Sequence, residues 1–316
     1  MKKAILVATI GAMTLGVNAG DWGKAPVDKT PIVECVDIGG EVSVGYMSNY
    51  IFRGVEFAGD SVWSDVNYTF DGLAIPITIG ALYLNGINDG GGGFGFGGFP
   101  GTADFDELDL YVSAALGTFA GFDVSLGYTH RTYPESRAGN PGVLAGPPFL
   151  NAPNRQGFGE INLGITRSLG FVDMKFSANS AMGGGGFAPN GFYYELGLEK
   201  SFGLTDNISL VLGGGVAYSD NYFQGLNNFP NVAGFVGGVP VAGLGGALED
   251  SGWNHYYLTA SLPIVLNCRT TLTPYVGFNG APDGWVADGI NGSTTQALNN
   301  GQSDILHGGV TLSVTF

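Results

Sequence analysis

The chain has 316 residues, 56 of them glycine, with only 12% charged residues and a mean hydropathy of +0.18. That is too apolar for a disordered chain, and no composition break marks a linker, so a single domain is expected. The formal charge of −15 at pH 7 excludes nucleic acid and anionic lipid as electrostatic partners.

At the N-terminus, Lys2 and Lys3 precede an apolar run from Ala4 to Val17, and Val17-Asn18-Ala19 fits a small-residue cleavage site. Residues 1–19 therefore read as a secretory signal peptide, the run being short for a span of about 20 residues. Residues 20–40 then form a periplasmic N-terminal segment, and residues 41–316 the folded body.

No later stretch provides about 18 uninterrupted apolar residues without helix breakers. Val232 to Leu248 comes nearest, but it contains six glycines and Pro240. What recurs is strict alternation, the period of a strand with one apolar and one polar face. In Phe171 to Ser180, Val172, Met174, Phe176 and Ala178 oppose Asp173, Lys175, Ser177 and Asn179. Runs of this kind predict twelve strands, near 41–53, 61–70, 74–85, 105–117, 121–132, 157–168, 171–181, 191–202, 208–218, 253–263, 270–279 and 304–316. Their connections alternate between short and long, with short ones at Asp71-Gly72, Thr118 to Ala120, Leu169-Gly170, Gly203 to Asn207 and Ile264 to Arg269. Pro76, Pro263 and Pro274 fall near strand ends on the short-turn side.

A soluble β-sandwich would also alternate, but its outward faces would carry Lys, Glu and Thr. Here one face of each run is wholly aliphatic and aromatic. The fold predicted is all-β: a transmembrane antiparallel up-and-down β-barrel of about 12 strands. Tyr50, Phe52, Phe70, Phe122, Tyr128, Phe202 and Tyr218 lie at inferred strand ends, as interfacial girdles would.

The chain closes Gly-Val-Thr-Leu-Ser-Val-Thr-Phe. This resembles the terminal-aromatic last strand that the outer-membrane assembly machinery recognises, which would make Phe316 an assembly signal and that machinery a partner. The segment Val44-Gly-Tyr-Met-Ser-Asn-Tyr-Ile-Phe-Arg-Gly54, followed by Ser64-Asp-Val-Asn-Tyr-Thr-Phe70, resembles the first hairpin of TorF-type porins. Tyr50, Phe52, Arg53 and Gly54 match that family's Tyr-x-Phe-Arg-Gly core. The resemblance implies a small porin-like barrel in the outer membrane of a Gram-negative bacterium, in contact with lipid and small solutes or ions. An oligomer is possible.

No constellation for catalysis, cofactor or metal binding stands out. Histidines 130, 255 and 307 are scattered, and none forms the His-x-Ser pair of barrel phospholipases; His130 with Thr132 comes nearest. The polar strand faces would instead line a lumen with Asp65, Glu107, Asp109, Asp123, Glu160, Asp173, Glu195 and Glu199, against Arg131 and Lys175. In that lumen Asp173 could pair with Lys175. The acidic excess predicts a cation-preferring channel for small hydrophilic solutes. A structural or adhesive barrel with a closed lumen is the alternative. Cys35, before the first strand, and Cys268, in the last short turn, converge at one rim, where an oxidising periplasm would join them in a disulfide. Phe94, Phe96 and Phe99 in the loop Gly86 to Ala103, and the uncharged stretch Val232 to Leu248, are candidates for narrowing or covering the mouth.

Overall fold

A computed structural model describes residues 38–87, 106–132, 157–182, 191–222, 235–236, 239–240, 251–287 and 304–316. The expected signal peptide, Cys35, the phenylalanine-bearing loop and most of Val232 to Leu248 lie outside the described residues.

The strands are β1 (Gly40–Met47), β2 (Tyr50–Phe52), β3 (Val55–Ala58), β4 (Ser61–Phe70), β5 (Ile77–Gly86), β6 (Asp106–Phe119) and β7 (Phe122–Thr132). They continue as β8 (Phe158–Ser168), β9 (Asp173–Met182), β10 (Gly191–Gly203), β11 (Ser209–Asp220), β12 (Phe235–Val236) and β13 (Val239–Pro240). The last are β14 (Ser251–Ser261), β15 (Ile264–Asn267), β16 (Thr270–Gly280) and β17 (Ile305–Thr315). β12 and β13 pair only with each other. The wall is a closed antiparallel barrel of twelve strands: β1, β4 to β11, then β14 and β15 as two halves of one strand, β16 and β17.

Closure joins the first strand to the last, from Glu41 opposite Thr315 to Met47 opposite Gly309. Phe316 finishes this seam. Its N–H donates to the Gly40 carbonyl at 2.9 Å, and its own carbonyl accepts from Gly40 at 3.1 Å and Ile38 at 3.0 Å. Gly40 is required there because a Cβ would enter the Phe316 ring.

Every wall strand has one apolar and one polar face, and the barrel sorts them. On β6, Leu110 and Val112 are 51% and 41% exposed on the outside, whereas Glu107 and Asp109 are each 2% exposed on the inside. Val42, Val66, Ile79, Leu126, Ile161, Leu198 and Leu258 extend the outer apolar belt around the barrel. A bilayer stabilises such a belt, and full closure leaves no unpaired strand edge inside it.

One rim carries tight turns. Ala120 and Gly121 join β6 to β7 with φ of 52° and 80°, the backbone of a type I′ turn. The expected short connection Ile264 to Arg269 is narrower than the sequence suggests, because the ladder resumes as β15 and only Cys268 and Arg269 turn. Pro263 has no N–H, so the strand lapses there. Pro274, expected at a strand end, lies within β16, and its carbonyl accepts from Leu262 at 2.9 Å. A strand residue points its N and O to the same neighbour, so the donor missing at Pro274 faces that lapse. Cys268 is disulfide-bonded; its expected partner, Cys35, is outside the described residues.

One expectation fails at the opposite rim. The run 41–53 does not form one strand, because the wall ends at Met47 and the next residues fold inward as the hairpin β2–β3. Tyr50 and Phe52 are therefore no interfacial girdle; at 1% and 6% exposure they are in the interior.

The outer belt makes Val112→Arg, near the middle of β6, costly by about 2–4 kcal/mol, while the inward Ser113→Arg costs less than about 1 kcal/mol. Reversible denaturant titration in lipid vesicles measures the difference; equal costs would contradict the facing.

Candidate functional site

The hairpin leaves the wall after Met47 and is tied at its base. Ser48 N–H donates to the Gly308 carbonyl at 2.8 Å, Gly308 N–H returns to Ser48 Oγ at 3.0 Å, and Asn49 Nδ2 donates to Glu56 Oε1 at 2.7 Å. Phe52 pairs with Val55, so Arg53 and Gly54 alone make the tip. Their φ values of 53° and 81° define a type I′ turn, whose geometry matches the twist of a hairpin. Asparagine-glycine usually occupies such a turn. An arginine in the left-handed region costs about 1–2 kcal/mol, so its surroundings must hold it there.

Three features hold it. On the far wall, the register between β11 and β14 shifts after Ala217, leaving Asn254 as an extra residue between Trp253 and His255. This bulge turns both Asn254 and His255 inward, at 0% and 3% exposure. Asn254 Nδ2 donates to the Arg53 carbonyl at 2.6 Å and lies 3.0 Å from His255 Nδ1. At Gly54 an added Cβ would come within 2.5 Å of the His255 ring, so glycine is needed both for φ and for this approach. The Arg53 guanidinium then lies over the rings of Tyr193 at 4.1 Å, Tyr222 at 4.5 Å and Phe52 at 5.0 Å, and pairs with Glu160.

Glu160 is the hub. Its Oε1 takes Arg53, its Oε2 lies 3.4 Å from Arg131 Nη2, and the Tyr222 hydroxyl donates to Oε1 at 3.1 Å. Burial pushes the Tyr222 phenol well above its ordinary value, keeping it a donor. Arg131 Nη1 also pairs with Asp109 and, at 3.1 Å, with Glu107, whose two oxygens accept from the Tyr50 hydroxyl at 3.1 Å each. Both guanidinium groups lie over the Phe52 ring, that of Arg131 at 4.6 Å. Two bases and three carboxylates thus meet where the hairpin crosses the lumen, with the Arg131, Glu107, Asp109 and Glu160 side chains at most 3% exposed.

Towards the short-turn rim the interior changes character. Lys175 and Glu199 pair at 2.9 Å with 39% and 36% of their side chains exposed, so solvent reaches them. The expected pair of Lys175 with Asp173 gives way to this cross-strand one. Asp65 accepts from Tyr111 at 2.9 Å and Asn67 at 3.0 Å, and Glu195 from Tyr257 at 2.9 Å and Tyr193 at 3.2 Å. Both carboxylates take neutral donors only among the described residues. Asp123 and Asp173 are exposed at the rim.

Large inward rings lie over glycines of neighbouring strands. Tyr111 lies over Gly80, Tyr257 over Gly197 and Gly215, Trp63 over Gly45, Tyr275 over Gly309 and His307 over Gly277, each where a Cβ would collide with the ring. A glycine on the neighbouring strand lets each ring lie along the wall instead of projecting across the barrel.

All ten charged positions named from the sequence fall on inward-facing registers. Glu107, Asp109, Glu160 and Arg131 are brought together; the other six are spread over the rest of the inner face. His130 and Thr132 lie opposite Leu110 and Leu108 on the outward face, and the Thr132 hydroxyl donates to the Leu108 carbonyl at 3.0 Å. Sequence reasoning missed Arg53 as an interior charge and the gathering of Tyr193, Tyr222, Asn254 and His255 around it. The signal available was the run 41–53 itself: thirteen residues exceed the 9–11 or so that a tilted spanning strand needs.

An outer-membrane channel from Pseudomonas putida F1 matches with a TM-score of 0.50 at 11% identity, over 92% of this chain and all of that one. The KdgM porin matches with a TM-score of 0.44 at 6% identity, over 87% and 99% of the two chains. Outer membrane phospholipase A from Escherichia coli gives a TM-score of 0.37 at 11% identity, over 88% and 92%. No protein-family model matches the sequence, and no curated protein matches it by sequence. The chain therefore has the fold of bacterial outer-membrane barrels, a likeness that leaves its solute open.

Since Arg53 is held inside the barrel, trypsin added to the folded protein should leave the bond after Arg53 intact. Gly54→Ala, strained by φ and by the His255 ring, should loosen the tip by about 1–3 kcal/mol and admit cleavage there. Peptide mapping reads both results.

Proposed function

We propose that the chain is a narrow outer-membrane channel for small hydrophilic solutes, preferring cations, whose long-loop half is closed in this conformation by the β2–β3 hairpin. The observation that carries this reading is the gradient along the interior. Arg131, Glu107, Asp109 and Glu160 are buried against the hairpin at one end, while Lys175 and Glu199 stay solvent-reached towards the other, and inward rings lie over glycines of neighbouring strands. A barrel built only as a scaffold has no use for glycines that keep rings out of its lumen. The Tyr-x-Phe-Arg-Gly residues that resemble TorF-type porins form this hairpin's tip, so we read the motif as a plug. On the same reading, residues 1–19 are an export signal, residues 20–40 a periplasmic segment tethered through Cys35 and Cys268, and Phe316 an assembly signal.

The cation preference follows from charge. Including Arg53, nine inward wall acids, the eight named from the sequence and Glu41, face three bases, and the hairpin carries a further acid in Glu56. The five ion-paired residues at the hairpin carry one formal negative charge and Lys175 cancels Glu199, which leaves Glu41, Asp65, Asp123, Asp173 and Glu195 without basic partners among the described residues. Negative walls raise the local cation concentration over the Debye length, about 10 Å at 0.1 M salt and about 3 Å at 1 M. Glu107 and Asp109 are poor levers on this preference, because neutralising them strands the buried Arg131.

The closed structural or adhesive barrel is favoured by one observation, the dense ion pairing at the hairpin. Planar-bilayer recording separates the readings. Replacing residues 48–60 by a short Gly-Ser link should give larger, longer open steps; a folded barrel that passes no current with the link would contradict the channel. In 0.1 M salt gradients the reversal potential should be cation-selective, move towards zero with Asp65→Asn plus Glu195→Gln, and fade near 1 M. An anion-selective potential would overturn the preference.

A further inference from the structure

We propose that the pocket around Arg53 is a binding site for guanidinium-type organic cations, occupied in this conformation by Arg53 as a tethered stand-in that a free ligand displaces. The proposal deepens the channel reading by naming a solute class, and rests on that reading only for the consequence that displacement opens the lumen.

The pocket already recognises a guanidinium. Tyr193 and Tyr222 have ring centroids 5.7 Å apart and planes inclined at 57°, and the flat cation meets both, at 4.1 Å and 4.5 Å. Phe52 supplies a further face, and the ring of His255 stacks behind Tyr193 with centroids 6.4 Å apart. Glu160 takes one edge of the cation and is itself positioned by the Tyr222 hydroxyl. Aromatic faces with a carboxylate at the rim select a planar delocalised cation over an ammonium, which is more strongly hydrated and lacks the flat face.

The stand-in fits incompletely. Arg53 is only 9% exposed, yet among the described residues its Nε and Nη1 have no hydrogen-bond partner. On the same wall, Asn254 Oδ1 and Ser219 Oγ are also buried without partners. Ser219 is opposite Tyr193 in the strand register. Spare donors thus remain on the occupant, whose side chain its backbone tethers, and spare acceptors on the wall facing the hairpin tip, where Asn254 is bonded to the Arg53 carbonyl. A free guanidinium carries no such tether, and need not hold the backbone at a φ of 53°. Buried polar groups left unpaired are costly, so the free ligand has binding energy that Arg53 does not use.

Access is arranged along one strand. Glu199, Glu195 and Tyr193 are inward positions of β10, with Gly197 between the two glutamates, running from the solvent-reached end to the pocket. Glu195, held by Tyr193 and Tyr257 and without a basic partner among the described residues, is the carboxylate a cation meets just before the pocket.

The test uses methylguanidinium chloride and the full-length mature protein, its barrel verified by heat-modifiable gel migration. By calorimetry, Arg53→Ala should bind methylguanidinium about tenfold more tightly than the unaltered protein, in which Arg53 competes. Adding Glu160→Gln should weaken that binding about tenfold, and methylammonium should bind Arg53→Ala more weakly than methylguanidinium. Arg53→Gln, which keeps the chain length, serves if the alanine variant does not fold. Bilayer currents of the same variant in KCl report on the channel separately. Currents without methylguanidinium binding would overturn the cation site and spare the channel. Binding that depends on Glu160, with no current, would support the site and remove the channel.

Discussion

The structure depends on one buried carboxylate. Glu160 on β8 is fully enclosed and answers two arginines from different parts of the fold, Arg131 on the wall and Arg53 on the hairpin. Enclosing three charges is expensive, and their mutual attraction offsets the cost only with good geometry and further hydrogen bonds. Tyr222 supplies such a bond to Glu160, and both guanidinium groups lie over the Phe52 ring. Without Arg53, the hairpin would lose its only ion pair among the described residues, and its left-handed tip would have little to oppose the strain.

This arrangement is not one that maximises stability. A hairpin meant only to fill a barrel would place an apolar residue at its tip and Asn-Gly in its turn, and the facing wall would lack a bulge. Here the tip is charged and strained, it leaves two donors without partners among the described residues, and it depends on Asn254 being displaced from the regular ladder. Strain and incomplete hydrogen bonding concentrated at one contact lower the cost of breaking that contact while the wall stays intact. The twelve wall strands share continuous ladders; the hairpin shares none with them. The two parts can therefore differ in stability.

Much of the wall was legible because a barrel strand imposes a period of two. Leu110 and Val112 on one side and Glu107 and Asp109 on the other specify facing without knowledge of neighbours, and once the strands close, parity carries the inward acids into place. The hairpin was not legible for the same reason. Tyr50-Ile-Phe52 and Val55-Glu-Phe57 alternate as wall strands do, and Arg53-Gly54 lacks the asparagine or aspartate that usually marks a type I′ turn. Period alone cannot distinguish a strand facing lipid from one facing the lumen. The Asn254 bulge leaves no composition signal at all, since Trp-Asn-His-Tyr is acceptable in a regular strand. Pro274 misled more mildly: its place inside β16 is tolerable only because a neighbouring proline interrupts the ladder beside it, a fact of pairing rather than of sequence.

The central claim is that Glu160 holds the hairpin closed through Arg53. A double-mutant cycle on single-channel closed time tests it most directly, with Arg53→Ala, Glu160→Gln and the double variant recorded under identical salt. Because the two side chains act as one contact, the double variant should be no more open than Arg53→Ala alone. Independent, additive effects of the two substitutions would contradict the account.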